Sequence, residues 1–180
     1  MKRVSLLNCP VDLADIYTAL NAANEAIVQN RTFHIVTINP EMIMYAQKNS
    51  EFLKIVNNSD LNIPDGIGVK IALKLRAINC KNIRGIDFAR KLIGYANEKG
   101  YKVALIGAKK EVIDKACENL KHDYPKLDIT YKRNGYFNND EEVIDEIKAS
   151  NPKIILAGLG SPRQEEFILK LKNVLKGCIL

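Results

Sequence analysis

The feature that most constrains this chain is a repeated alternation between short, mostly apolar runs and longer segments whose apolar residues recur at helical spacing. Residues 33–38, 61–64, 103–106 and 154–157 form such runs. Between and after them come Val69, Ile71, Ala72 and Leu75, then Phe88, Leu92 and Ala96, then Val112, Ile113, Ala116 and Leu120, then Val143, Ile144 and Ile147, and finally Phe167, Ile168 and Leu171. A strand that is apolar on both faces must be covered on both, and each parallel crossover needs a helix. The expected fold class is therefore α/β: Rossmann-like, with a mainly parallel sheet and helices on both faces. With 180 residues, 47% of them hydrophobic, the chain can bury a sizeable core, and 1–180 reads as a single domain.

Smaller signals fill in the path. The chain opens with a strand at 4–7, followed by a helix carrying Leu13, Ile16, Leu20, Ala23 and Ile27. Asn39-Pro40-Glu41 is a helix start, with asparagine as cap and proline at the first helical position. Residues 129–131 form a further strand, and 133–140, rich in Asn and Gly, is the most loop-like stretch. Cys178, Ile179 and Leu180 read as a strand cut short, so the natural chain is expected to continue beyond Leu180.

Several chemistries have little material. A net charge of +6 favours anionic company without choosing among nucleic acid, nucleotide-sugars, diphosphates and a membrane surface. Cys9, Cys80, Cys117 and Cys178 are widely spaced and read as reduced, cytosolic thiols. With His34 and His122 as the two histidines, and with no D-x-D pair, no metal site is expected. Asn8, Asp12 and Asp15 interrupt the first apolar stretch too early for a signal peptide, and no later run has spanning length. The tyrosines are scattered rather than alternating along a strand, which counts against nucleic-acid binding.

In an open α/β sheet, ligands collect at the carboxyl ends of strands. Four segments fall there. Thr37 and Asn39 offer a hydroxyl and a carboxamide, although Asn39 serves equally as a helix cap. In Ile63-Pro64-Asp65-Gly66-Ile67-Gly68, Asp65 is either a general base or a cap, with glycines that let substrate approach the backbone. Arg84 could clamp a diphosphate ahead of a helix started by Asp87, or be a surface residue. Gly158, Gly160 and Ser161 offer backbone N–H groups to an anion, while Ser161 and Gln164 also fit a capping box around Pro162. Both Gly-x-Gly pairs lack the third glycine of a dinucleotide fingerprint, having Ile71 and Arg163 there, and Ser161 lacks a nucleophile elbow.

Taken in order, T-I-N-P-E, I-P-D-G-I-G, R-G-I-D, L-I-G-A-K and G-L-G-S-P-R-Q-E resemble the WecG/TagA/CpsF glycosyltransferases, glycosyltransferase family 26, over almost the whole chain. The resemblance implies an inverting enzyme, without cofactor or metal, that moves N-acetylmannosamine or a related sugar from UDP to undecaprenyl-diphosphate-linked GlcNAc in wall teichoic acid linkage-unit synthesis. It implies Asp65 as the base, and Thr37, Asn39, Arg84 and Gln164 as substrate contacts. Gly107, Gly158, Gly160 and Ser161 are then expected beside the nucleotide and diphosphate. Arg163 stands where the family pattern has lysine. A glycine-rich G-V-G-G strand and an arginine-rich tail of the family have no match here, and they are expected to contribute to nucleotide and membrane binding. The implied partners are a UDP-sugar, a lipid-diphosphate acceptor and an anionic membrane surface at the inner face of the cell membrane, without nucleic acid; self-association into a homo-oligomer stays open. Two readings of other classes remain, an NAD-dependent oxidoreductase and a noncatalytic nucleotide- or RNA-binding module.

Overall fold

A computed structural model describes residues 1–81 and 83–180. The chain opens with two strands, β1 (Lys2–Leu6) and β2 (Cys9–Leu13), paired antiparallel from Lys2↔Leu13 to Leu6↔Cys9. This corrects the expected strand-then-helix opening, because Leu13 ends β2 instead of lying on a helix. The turn is Leu7-Asn8, both at positive φ (48° and 62°), as a two-residue hairpin loop requires. No glycine marks it, so the sequence carries no hairpin signal. Asp15 caps α1 (Ile16–Val28) by accepting the Thr18 N–H at 2.8 Å.

The middle of the chain runs through β3 (Ile35–Ile38), α2 (Pro40–Ala46), α3 (Ser50–Asn57), β4 (Leu61–Pro64) and α4 (Ile67–Leu75). Asn49 caps α3 through the Phe52 N–H at 2.9 Å, a short helix that the apolar spacing does not announce. The second half is α5 (Gly85–Lys99), β5 (Lys102–Gly107), α6 (Lys110–Asp123), β6 (Asp128–Arg133), α7 (Asp140–Ser150), β7 (Ile154–Gly158) and α8 (Arg163–Val174). α5 begins at Gly85, so Asp87 lies in its first turn and does not start it.

The pairing is parallel outside the opening hairpin: β3 lies beside β4, and β5 lies between β6 and β7. Cys178, Ile179 and Leu180 join the two groups. Ile179 bridges in parallel to both Phe33 and Ile154, with its N–H donated to Lys153 and its carbonyl accepting from Ile155, while Leu180 and Phe33 exchange backbone bonds with their neighbours across the other edge. The order is thus β6-β5-β7, the 178–180 segment, then β3-β4. The β1-β2 hairpin is tied beside β4 by Asp12, which takes two 2.8 Å bonds from Arg3 and the Asn62 N–H at 2.7 Å. Asp12 is only 3% exposed, so this carboxylate is placed by its partners rather than by water.

Side chains alternate across the sheet as the two-residue strand period demands. Val103 and Leu105 pack with α1, α5 and α6, whereas Ala104 and Ile106 pack with α7 and α8. Ile154 and Ile179 follow the first set; Ile155, Cys178 and Leu180 follow the second. Val36 and Ile38 add a third cluster with α2, α3 and α4. The expected α/β sheet covered on both faces is what forms. All four cysteines are buried and unpaired, and among the described residues no helix is long and apolar enough to cross a membrane.

Candidate active site

A cleft of about 360 Å³ lies between β3 and β7, floored by Ile179 and Leu180 and walled by the first turns of α5 and α8. This is where the strand order changes direction, the position at which open α/β sheets take ligands. Thr37 comes to it from β3, Asp65 from the end of β4 and Gln164 from the start of α8. Three residues separated by up to 127 positions in sequence therefore line one cleft.

The local geometry is tight. The Asp65 N–H donates to the Ile38 carbonyl at 2.9 Å, which extends the β3-β4 ladder by one rung and fixes the carboxylate beside Thr37. Asp65 does not cap α4, whose capping residue Gly66 has no side chain to offer. Its Oδ2 accepts the Gly85 N–H at 3.1 Å instead, a donor at the N-terminus of α5, where the helix dipole favours negative charge. Gly85 makes the approach of both groups close. A Cβ on it would lie 3.1 Å from Asp65 Oδ2 and 3.1 Å from Thr37 Cγ2, so the residue is a spacer that lets both approach. The sequence carries no signal for Gly85 beyond its place directly after Arg84. Gly68, by contrast, faces Pro40, whose Cγ would sit 2.6 Å from an added Cβ. That glycine admits a neighbouring helix, not a substrate.

Other expected residues lie outside the cleft. Asn39 caps α2 through the Met42 N–H at 2.9 Å, which occupies its Oδ1 and leaves the carboxamide NH₂ as the group it can offer. Arg84 is exposed and held in two bonds to Asp87, at 2.7 and 3.0 Å; it borders a separate depression with Asp15, Tyr17 and Lys81. The Asp87 carboxylate raises its pKa, so it stays a cation. Gly107 and Gly158 line an adjoining cleft of about 730 Å³ between α5 and α6, which shares Ile86, Ala89, Leu156 and Ala157 with the first. A Cβ on Gly107 would lie 2.4 Å from the Gly158 carbonyl oxygen, so packing between β5 and β7 alone demands this glycine.

The expected capping box around Pro162 does not form. α8 starts at Arg163, one residue later than the spacing suggests, and Pro162 itself is the capping position, with no side-chain bond. Ser161 is exposed and, with Gly160, lies outside the cleft wall. The Gln164 amide donates to Glu165 Oε1 at 3.3 Å. Arg163 sends one N–H to the Gly135 carbonyl (2.8 Å) and another to that of Phe137 (2.7 Å), with its guanidinium 4.6 Å from the centre of the Phe137 ring. A lysine could not match this planar fork, so the arginine anchors the loop after β6.

Two buried titratable residues on the wall were not singled out in advance. His34 is 2% exposed; burial, with a smaller push from Lys172, lowers its pKa to about 4 and keeps it neutral. Glu165 is 3% exposed, and burial raises its pKa against weaker opposing bonds. Among the described residues lining the cleft there is no lysine or arginine.

Residues 4–180 match the family described as Glycosyl transferase WecG/TagA/CpsF. The chain belongs to this family. It is 36% identical over 147 residues to the N-acetylglucosaminyldiphosphoundecaprenol N-acetyl-beta-D-mannosaminyltransferase of Bacillus spizizenii, a match covering 81% of this chain and 57% of that protein. The proteins of the same name from Bacillus subtilis strain 168 and Staphylococcus aureus are 34% identical over 141 residues and 32% over 148, covering 78% and 81% of this chain and 55% and 58% of theirs. The match spans little more than half the length of these curated relatives. Membership accounts for the order of the five sequence blocks, three of which supply the Thr37, Asp65 and Gln164 wall.

Proposed function

We propose that this chain carries the site of an inverting sugar transfer, with N-acetylmannosamine passing from UDP to a GlcNAc borne on undecaprenyl diphosphate, as the relatives' name describes for them. The observation that carries the reading is the convergence of Thr37, Asp65 and Gln164 on one cleft at the carboxyl ends of β3, β4 and β7. Asp65 accepts the proton of the acceptor hydroxyl as that oxygen bonds to the anomeric carbon; the bond from that carbon to the diphosphate oxygen breaks, and UDP leaves with the electron pair. One base and one stabilised leaving group suffice for direct inversion, unlike the two-carboxylate arrangement of retaining hydrolysis. Thr37 and the Gln164 carbonyl bond the sugar, with Asn39 contributing its carboxamide NH₂.

The adjoining cleft with Gly107 and Gly158 takes the nucleotide and diphosphate, and Gly160 and Ser161 contribute donors ahead of α8. Arg84 exchanges Asp87 for the diphosphate and, with helix N-termini, stabilises the charge that develops on UDP. The enzyme then works without a metal as a peripheral protein at the inner face of the cell membrane, where its acceptor resides. The test is transfer from UDP-N-acetylmannosamine to a lipid-diphosphate GlcNAc analogue, alongside titration with UDP, NAD and short RNA. UDP binding and sugar transfer are expected. Binding of NAD or RNA in place of UDP overturns the reading.

A further inference from the structure

Glu165 has one carboxylate oxygen accounted for and one left over. Oε1 receives the Gln164 amide at 3.3 Å, whereas Oε2 is covered from solvent and has no hydrogen-bond partner. A buried polar atom without a partner costs about 1–3 kcal/mol and calls for a physical explanation. Helix capping is not the explanation. Glu165 is the third residue of α8, from which a glutamate normally reaches back to the N–H of the capping residue, but that residue is Pro162 and has no N–H. Ion pairing is not the explanation either, because no lysine or arginine is among the described residues lining this cleft, and His34, which also lines it, is neutral. Glu165 shares the cleft with Asp65, a second carboxyl.

Burial raises the Glu165 pKa, with the neighbouring Glu166 charge adding to it and the Ser161 hydroxyl opposing, which shifts the balance toward the protonated form relative to a free glutamate. In that form it becomes a donor as well as an acceptor. The same absence of cations makes this cleft a poor place for a diphosphate and a suitable one for an uncharged, oxygen-rich group between apolar walls. We propose that Glu165 is a neutral carboxylic acid that donates its O–H to an oxygen of the donor's sugar, and so separates a UDP-sugar from UDP. Glu165 lines the cleft, and the terminal torsion of a glutamate is broad, so a modest rotation about it can present the unpaired oxygen to a ligand without moving α8. Gln164, whose NH₂ is held by Glu165, presents its carbonyl beside that donor. One neighbouring pair thus offers an acceptor and a donor to vicinal sugar oxygens. This inference rests on the proposed sugar transfer.

The test compares Glu165→Gln, which keeps a donor in the same place, with Glu165→Leu, which removes it at similar volume. Calorimetric titration of UDP-N-acetylmannosamine and of UDP into each protein supplies the readout. Glu165→Gln should hold UDP-sugar affinity within about twofold, Glu165→Leu should weaken it roughly tenfold, and UDP affinity should stay unchanged in both. Equal loss of UDP-sugar affinity in the two variants, or none in Glu165→Leu, overturns the assignment and leaves the oxygen a structural group. If Glu165→Leu fails to fold, infrared difference spectra of the unaltered chain decide: a protonated carboxyl band that moves on adding UDP-sugar but not UDP, and is missing in Glu165→Gln, supports the proposal, and absence of that band overturns it. Failure of the unaltered chain to bind either UDP or UDP-sugar instead counts against the proposed function itself.

Discussion

The Asp65 carboxylate and the Gly85 backbone are joined by a 3.1 Å hydrogen bond that spans twenty residues and ties the end of β4 to the start of α5. One oxygen of the carboxylate is thereby fixed, and Thr37 packs against the same glycine. Asp65→Asn keeps the shape and removes the base, so turnover should fall by roughly 10² to 10⁴ while UDP affinity stays close to that of the unaltered chain. Steady-state rates and UDP titration measure the two effects; turnover near the original value would reduce Asp65 to a tether for α5. Gly85→Ala places a methyl against both neighbours and should lower turnover through displacement alone, with the carboxylate still present.

Arg84, the capping residue of α5, and Asp87 in its first turn form an exposed pair. Pairs of this kind contribute about 0–1 kcal/mol, so Arg84→Ala should leave thermal stability nearly unchanged. If the guanidinium leaves Asp87 for the diphosphate, the same variant should weaken UDP or acceptor binding. Unchanged affinity for both ligands assigns Arg84 to the surface.

Chelation offers a direct check on how the leaving diphosphate is stabilised. Activity should persist in EDTA if Arg84 and helix N-termini carry that task. A strict requirement for Mg²⁺ or Mn²⁺ would refute this part of the mechanism.

His34 sets a pH window for stability. Its folded pKa of about 4 lies below the ordinary value of 6.5, chiefly because the ring is buried, with Lys172 lowering it further and Asp60 opposing. Between pH 6.5 and about 4 the unfolded chain takes up a proton that the folded chain refuses, so stability falls as pH drops through this interval and this contribution levels off below it. From pH 7 to 5 the loss is on the order of 2 kcal/mol at about 1.4 kcal/mol per pH unit. Urea unfolding at the two pH values should show it, and His34→Leu should flatten it; an NMR titration placing the folded His34 near 6.5 would remove the basis for the prediction. Asp15 and Asp114, whose pKa values are lowered to about 2 by bonds from Thr18 and from Lys110 and Lys132 respectively, act in a separate window. Their contribution is lost as pH falls from the usual carboxylate range through that value.

Ile179 stands between Phe33 and Ile154 and is 1% exposed. Ile179→Ala should cost about 2–5 kcal/mol by removing buried volume. Ile179→Pro should cost more, since it also deletes the N–H donated to Lys153 at 2.9 Å and places proline between two strands. Denaturant midpoints rank the two, and equal or negligible losses would mean that the two halves of the sheet hold together without this residue.

The sequence by itself determined the kind of fold and the places where chemistry gathers. Apolar runs at 103–106 and 154–157, separated by helical spacing, leave a parallel sheet covered on both faces as the economical packing, and strand ends then mark Thr37 and Asp65. Local spacing also identified the Asn39 cap, since an asparagine before Pro40 has its partner three residues away. Only the tertiary structure decided which strand ends meet. Ile179 bridges β7 to the strand group of β3, and so Gln164 and Asp65 come to line one cleft, through contacts that no local pattern encodes. It also decided that Arg84 turns to Asp87, that Arg163 serves the loop after β6, and that Glu165 is buried with an oxygen to spare. Periodicity reports which face of an element is apolar, whereas pairing, burial of charge and the fate of each polar atom depend on what the rest of the chain packs against that face.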